Sequence, residues 1–553
     1  MASLNVIQGA LGHRRAAHLL RRTSFRFNKA KVDQMAAQTA DQALNALLTI
    51  HPLLHDQPTY DTQSTPTVEY TTWINPPGQP YPNNEQDFNL QRRVIGWWLH
   101  EALADPGMGS KMAFFFHQFL ATAANTLNNV ILFDYLALLR WGALGNFKKL
   151  VNKMVVDNNM VRYLNNNTNT KTNPNENFAR EFLELFTIGK GPLIAPGDYS
   201  NYTEDDIVQA ARVFTGFTTR TARDQVDPET GIPRGTTSFS KHDTLPKTFS
   251  NKFQGATTIA GASNAAEMYT EVSNFVNLVF NQTETARNFC RRLYRFFVNR
   301  NITPEIETDI IEPLAVFFKN GNYEVAPTLR KLLSSEHFFD ADDSDNKDEI
   351  IGGMIKSPLE LTLQSLSFFN IAIPDPITQN YQHYMVFYSS GVIERMLGYA
   401  NLPMFLPQDV AGYAAYHQEP DYSRQWFNSS SIIARYKLPK MLLSGTRQLG
   451  GSPNTSIGIK LNIAPWVRDS GVVSDSADPY VLVKDLLDYL LPEEPDTERF
   501  DYYYNQIFLD NLPASDWTYE WQNYLTTNNE QEVKIALERL INYIMFSPEY
   551  QTF

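Results

Sequence analysis

A histidine followed directly by an aspartate, His242-Asp243, with Lys247 four residues on, is the group of residues in this chain best suited to chemistry. Histidine offers a nitrogen lone pair that titrates near neutrality. The aspartate adds an oxygen donor, and a loop pair of this kind can present metal ligands from an element held by a rigid scaffold. Lys247 beside it suits an anionic group. The second candidate is Glu181 with Glu184, spaced i and i+3, so that a helix brings both carboxylates to one face. Paired carboxylates can bind a divalent cation or divide acid and base roles. The third is His117, which follows three phenylalanines and precedes Gln118-Phe119. It reads either as a neutral imidazole hydrogen-bonded in an aromatic core or as a metal ligand or general base. The candidate catalytic groups are therefore Glu181, Glu184, His242 and Asp243, and the candidate metal ligands are His117, His242 and Asp243.

Each candidate has an ordinary structural alternative. Arg180 precedes Glu184 by four residues and can neutralise it as a surface pair. The ExxH helix pattern of di-iron bundles is absent, since the string here is ExxE. Arg21 and Arg22 in the basic segment 14–26, Arg292 in the basic segment 291–300, Arg180 and Lys247 form a candidate anion-binding set. The guanidinium fork suits phosphate, sulfate or carboxylate, and pairing with the protein's own Asp and Glu accounts for these residues equally well. His18, His100, His337, His383 and His417 have no partner at useful sequence spacing. The single cysteine, Cys290, excludes an intramolecular disulfide, a cysteine zinc site and an iron–sulfur cluster. It reads as a buried helix thiol. No phosphate-cradling glycine loop, GxSxG elbow or HExxH helix occurs, nor any nucleotide or haem pattern, so a divalent metal is the one cofactor left open.

The elements that must position these groups are mostly helices. The string Asn173 to Gly189 has its own start and stop signals: Asn175 can cap it, and Gly189 sits where a left-handed residue ends a helix. Phe178, Ala179, Phe182, Leu183, Leu185 and Phe186 share its apolar side, and Asn177, Arg180, Glu181 and Glu184 the other. Thr203 with Asp206 three residues on predicts a capped helix whose apolar stripe is Ile207, Ala210, Ala211 and Phe214. Between the helices, 52–88 reads as an extended loop or arm, 217–253 as a small β-hairpin or irregular insertion, and 340–349 as an acidic loop.

The 13% aromatic content, with 35 Phe and 27 Tyr, predicts a core built largely of ring packing. Length alone would allow two to four domains, yet no Pro/Gly-rich stretch divides the chain. The fold expected is mainly α: one large multi-helix domain over 10–551 with long surface loops. A net charge of −13 argues against a nucleic-acid-binding surface. No window reaches the ~20 apolar residues of a transmembrane helix, and the N-terminus lacks the pattern of an export signal. The default compartment is the cytoplasm, the alternative the periplasm or export.

Several strings together resemble one bacterial family, the domain of unknown function numbered 1800. They run in order: His18-Leu19-Leu20-Arg21-Arg22, Lys111 to His117, Asn175 to Glu181, Tyr202-Thr203-Glu204 leading to Ala210 through Gly216, and His242-Asp243 with Lys247 and Phe249. After these come Arg292 to Phe297, Lys356 to Glu360, Trp426 to Ser429 and Ser547 to Gln551. The resemblance implies no established activity. It does imply a frequent gene neighbour, the uncharacterised family 1501, which looks like the alkaline-phosphatase/sulfatase group. It also implies export for many members. Where the family usually carries Phe-Trp-His-Asn-His-Phe, this chain keeps His117 but has Phe119 at the second histidine, so a two-histidine metal site is not carried over.

Two functions follow. One is a helical scaffold or interaction protein acting with a partner protein, such as the phosphatase-like neighbour, or with an anionic polymer. The other is a metal- or carboxylate-dependent enzyme. The enzyme requires His117, Glu181, Glu184, His242 and Asp243 to converge in one pocket; the scaffold expects them dispersed or ion-paired.

Overall fold

Aromatic rings decide how the helices pack. The computed structural model describes residues 2–59, 72–78, 87–342, 350–389, 391–445 and 459–553. Within them Phe116, Phe147, Phe289 and Phe318 form a stack, with centroid separations of 4.3 Å for Phe147–Phe289 and 4.6 Å for Phe289–Phe318. Each ring comes from a different helix: Gly109–His117, Phe147–Met154, Thr283–Phe297 and Glu312–Asn320. A second ring cluster joins Phe178, Phe182, Phe214, Phe249 and Phe275 at 4.9–5.5 Å. It binds the stretch after Asn177 to the helices Glu204–Val213 and Ala265–Phe280. Offset and edge-on ring contacts add to the area they bury. The buried apolar side chains form one contiguous cluster from Ala2 to Tyr550.

The fold is mainly α, as expected, and its strands are few and short. Three two-stranded antiparallel ladders occur among the described residues: Leu193–Ala195 with Asp198–Tyr199, Phe217–Thr218 with Thr236–Thr237, and Lys247–Thr248 with Thr258–Ile259. The last two lie in the irregular stretch read as an insertion, and the third carries it past residue 253 to Ile259. Asp206 ties this stretch to the helices. It completes the capping box with Thr203, and its carboxylate also accepts from the Ser250 amide and hydroxyl at 2.7 Å. Of the arm read at 52–88, residues 60–71 and 79–86 lie outside the described residues; so does 343–349 of the acidic loop. No helix among the described residues is long and apolar enough to cross a membrane.

The Asn173–Gly189 string departs from a uniform helix. An α-helix spans Asn177–Glu181 and passes into one π-helical turn, Phe182–Phe186. Asn175 does supply the cap, its side-chain oxygen accepting from the Asn177 amide at 3.0 Å. Two groups hold the wide turn. The Thr187 hydroxyl takes the Phe182 carbonyl at 2.6 Å, and the Gly189 amide reaches back to Leu183 O at 2.9 Å. Gly189 sits at φ +78°, the left-handed region where a side chain is strained. The turn buries Phe182, Leu183 and Phe186 and leaves Glu184 and Leu185 half-exposed.

The basic N-terminal helix, Gly12–Thr23, does not offer its arginines to a ligand. Arg21 and Arg22 are buried. Arg21 donates to Tyr489 O at 2.6 Å and lies over the Phe27 ring; Arg22 donates to Ile350 O at 2.5 Å and lies over Phe553. Burial brings both guanidinium groups down to about 9. Three more buried cations gather with them: Lys111, Lys356 and Arg435. Glu360 faces this group, pairing with Lys111 through one oxygen while the other accepts from the Ser357 amide at 2.7 Å, capping the helix Pro358–Phe368. Arg435 is held by Gln551 Oε1 at 2.8 Å and Lys356 O at 3.0 Å, and Lys356 donates to Tyr550 O at 2.8 Å. Expected anion ligands thus serve as internal struts.

Because Phe289 sits between two stacked rings in a closed core, Phe289→Ala should destabilise the protein by about 3–5 kcal/mol. The shift in urea unfolding midpoint, followed by far-UV circular dichroism, measures it.

Candidate functional site

Thr215 and Gly216 end the helix that carries Arg212, and the loop holding His242 packs directly on them. Gly216 is at φ +79°, and a Cβ there would meet Ser238 O at 2.7 Å, so only glycine lets the two backbones approach. This seats the His242 ring with Nδ1 2.9 Å from Thr215 O and Nε2 3.0 Å from Glu271 Oε2. Both nitrogens face acceptors, so the ring donates at both when it carries two protons. Glu271 Oε2 also accepts from the Ala262 amide at 2.7 Å, and Lys247 Nζ lies 2.5 Å from Glu271 Oε1 while donating to Asp243 O. His242, Lys247 and Glu271 are all buried. Burial lowers the Lys247 pKa, opposed by Glu271. The anion that Lys247 serves is therefore the protein's own glutamate.

Asp243, one residue on, turns outward to Arg212, which grips it through Nε and Nη2 at 2.7 and 3.3 Å. Burial would raise its carboxyl, but the Arg212 bonds outweigh it and hold the group below the usual carboxylate range. The adjacent histidine and aspartate thus point at different partners.

His117 lies in another part of the core. Tyr135 donates its hydroxyl to Leu120 O at 2.8 Å and accepts from His117 Nδ1 at 2.8 Å. The imidazole packs edge-on to Phe405, and burial lowers its pKa to about 3, so it is neutral. Its Nε2 has no hydrogen-bond partner among the described residues. Among those residues no three His, Cys, Asp or Glu side chains are arranged to hold a metal ion.

Around the π-helical turn the structure does collect charge. Arg180 does not pair with Glu184. It forks onto both oxygens of Glu204 at 2.9 and 2.7 Å, because the Thr203 cap starts that helix directly in front of it. Glu184 instead meets the Tyr202 hydroxyl at 3.3 Å and Lys190 at 3.6 Å. Glu181 is half-buried, and its pKa is raised by burial, then by Glu184 and by Asp409, against the lowering pull of Arg180. On the same side His417 Nε2 stands 3.7 Å from Asp409. Arg292 donates to Leu185 O at 2.8 Å and lies flat on the Phe119 ring, and burial lowers it to about 10. Glu181, Glu184 and Arg292 therefore share a neighbourhood, and His117, His242 and Asp243 each have separate partners.

One cluster escaped the sequence. His100 and His383, read as isolated, meet at 3.1 Å, and His55 bridges Glu101 at 3.0 Å and Asp375 at 3.5 Å. Burial lowers His100 to about 4 and His383 to about 3. A cavity of about 390 Å³ lined by Trp97, Trp98, Trp141 and Phe133 adjoins Glu101. Its polar residues are already engaged: Glu101 accepts from the Leu54 and His55 amides, and Arg140 holds Asp105 and His51 O. The contacts span 46 to 283 residues, so no local spacing reveals them.

A comparison with protein families finds one match: the family model described as "Protein of unknown function (DUF1800)" covers residues 18–552. No curated protein and no solved structure matches the chain.

Two outcomes follow from these pairings. Glu271→Gln leaves Lys247 and His242 facing a neutral amide in the interior, and should cost about 3–5 kcal/mol, the usual cost of orphaning a buried charge. Adding Lys247→Met should recover much of that loss in urea unfolding. Glu181 binds its proton more tightly folded than unfolded, so its contribution to stability falls as pH rises from the ordinary carboxylate range through the raised folded value. Glu181→Gln should therefore be more stable than the parent at pH 7, with the advantage vanishing in acid; paired unfolding curves at pH 7 and pH 4 check the sign.

Proposed function

We propose that this chain, which belongs to the DUF1800 family of proteins of unknown function, acts as a rigid helical interaction protein. The observation that carries the reading is the fate of the reactive side chains. His242 is bonded to Glu271 and Thr215, Lys247 to Glu271, Asp243 to Arg212, and Arg180 to Glu204. A catalytic constellation needs groups that converge on a substrate-sized space with capacity left to act, whereas these groups saturate one another.

The same bookkeeping favours a protein partner over an anionic polymer. Arg21, Arg22 and Arg292 donate to backbone carbonyls, and Arg291 pairs with Glu284 and Glu307 at 2.5 and 2.6 Å. Basic residues tied up in this way leave no continuous cationic track for a polyanion. The partner we favour is a phosphatase-like protein of the uncharacterised family 1501.

Two measurements test the reading. Co-expression with such a partner should give a complex of defined stoichiometry by light scattering. Metal analysis of the purified chain should find no stoichiometric ion. A stoichiometric metal that disappears in His242→Ala would overturn the interaction reading in favour of an enzyme.

A further inference from the structure

Charge is unevenly distributed along this chain. Residues 471–553 hold sixteen Asp and Glu against four Lys and Arg, and the preceding 470 residues are within one charge of neutral, so nearly the whole net charge of −13 lies in this last stretch. It folds into helices that include Ala514–Thr527 and Gln531–Phe546, and a groove of about 240 Å³ opens between them. Its floor is Trp517, buried against Phe508 at 4.6 Å and Trp521 at 5.4 Å. Its apolar edges are Leu512 and Ile535, 58% and 55% exposed. Large apolar side chains left this open beside a preformed groove mark an interaction site rather than scattered surface.

Carboxylates rim the groove: Asp510, Asp516, Glu520 and Glu532. The one cation in the lining, Arg539, is committed to its own loop, pairing with Asp510 at 2.9 Å and donating to Ile507 O and Phe508 O. Among the described residues Asp516, Glu520 and Glu532 have no cationic partner within ion-pair distance. Asp516 and Glu532 each lie in the first turn of a helix, where the dipole favours them. Glu520 has no such support, and it stands one turn from Asp516, a like-charge spacing that disfavours the isolated helix.

We infer that this groove docks a basic amphipathic segment of a partner protein. Its apolar side chains would seat on Leu512, Trp517 and Ile535, and its Lys or Arg side chains on Asp516, Glu520 and Glu532. The apolar edges select a hydrophobic face, and the unopposed carboxylates select a positive one. The assignment rests on the interaction reading above and adds the chemistry of the partner.

The probe is a fluorescently labelled 18-residue Leu/Lys amphipathic peptide, titrated into the full chain and followed by anisotropy. Binding is expected, weakening at least tenfold in Glu520→Lys/Glu532→Lys and in Ile535→Asp, and falling as salt rises from 0.05 to 0.3 M. Unchanged far-UV spectra and urea midpoints establish that the variants are folded. No binding to the parent, equal binding to the variants, or equal binding of a Ser/Lys peptide without leucine would each overturn the proposal. Co-purification with the phosphatase-like protein separates the two readings. If Glu520→Lys/Glu532→Lys retains that partner fully, the groove assignment falls and the interaction reading stands. If the parent chain takes up no protein partner while the peptide still binds as described, the interaction reading fails and the groove chemistry holds.

Discussion

Five buried cations and a carboxylate they share make the junction on which the structure depends. Glu360 stands among Arg21, Arg22, Lys111, Lys356 and Arg435, all of them nearly inaccessible to water. A buried charge is costly unless it is paired and hydrogen-bonded. Here the cost is offset by three devices: the Glu360–Lys111 pair, carbonyl oxygens from Ile350, Tyr489 and Tyr550, and the faces of Phe25, Phe27, Phe296 and Phe553. Each works only if segments distant in sequence arrive together. The junction therefore fixes the relative placement of the first helix, the helix ending in His117, the helix capped by Ser357 and the C-terminal turn.

The same logic governs the residues best suited to chemistry. In an interior crowded with aromatic rings, a polar side chain is tolerated only when its hydrogen-bonding capacity is taken up. His242 meets that condition through Thr215 and Glu271, and Asp243 through Arg212. His117 meets half of it through Tyr135 and stays neutral. What looks reactive along the chain is, in space, the means by which an aromatic core accommodates polar groups.

Much of the architecture was legible before any coordinates. The capping box at Thr203, the Asn175 cap, the left-handed Gly189 and the buried Cys290 all follow from local rules that the structure obeys. The aromatic character of the core followed from composition. What was not legible is everything decided by long-range partners. No spacing rule joins Lys247 to Glu271, His100 to His383 or Arg180 to Glu204, and each of these pairings changed what a candidate residue can do. The π-helical turn was equally hidden, because Thr187 and Arg292 hold its carbonyls from positions that helical periodicity does not register.

The junction around Glu360 also bears on how the molecule comes into being. Arg21 finds its carbonyl acceptor 468 residues later, at Tyr489, and Arg22 lies against the ring of Phe553. During synthesis the basic amphipathic helix at the start of the chain must therefore wait, its charges hydrated and its apolar stripe uncovered, until the last helices leave the ribosome. The protein is obliged to mature late and all at once, and over that interval its most exposed surface is the one that the finished molecule hides most completely.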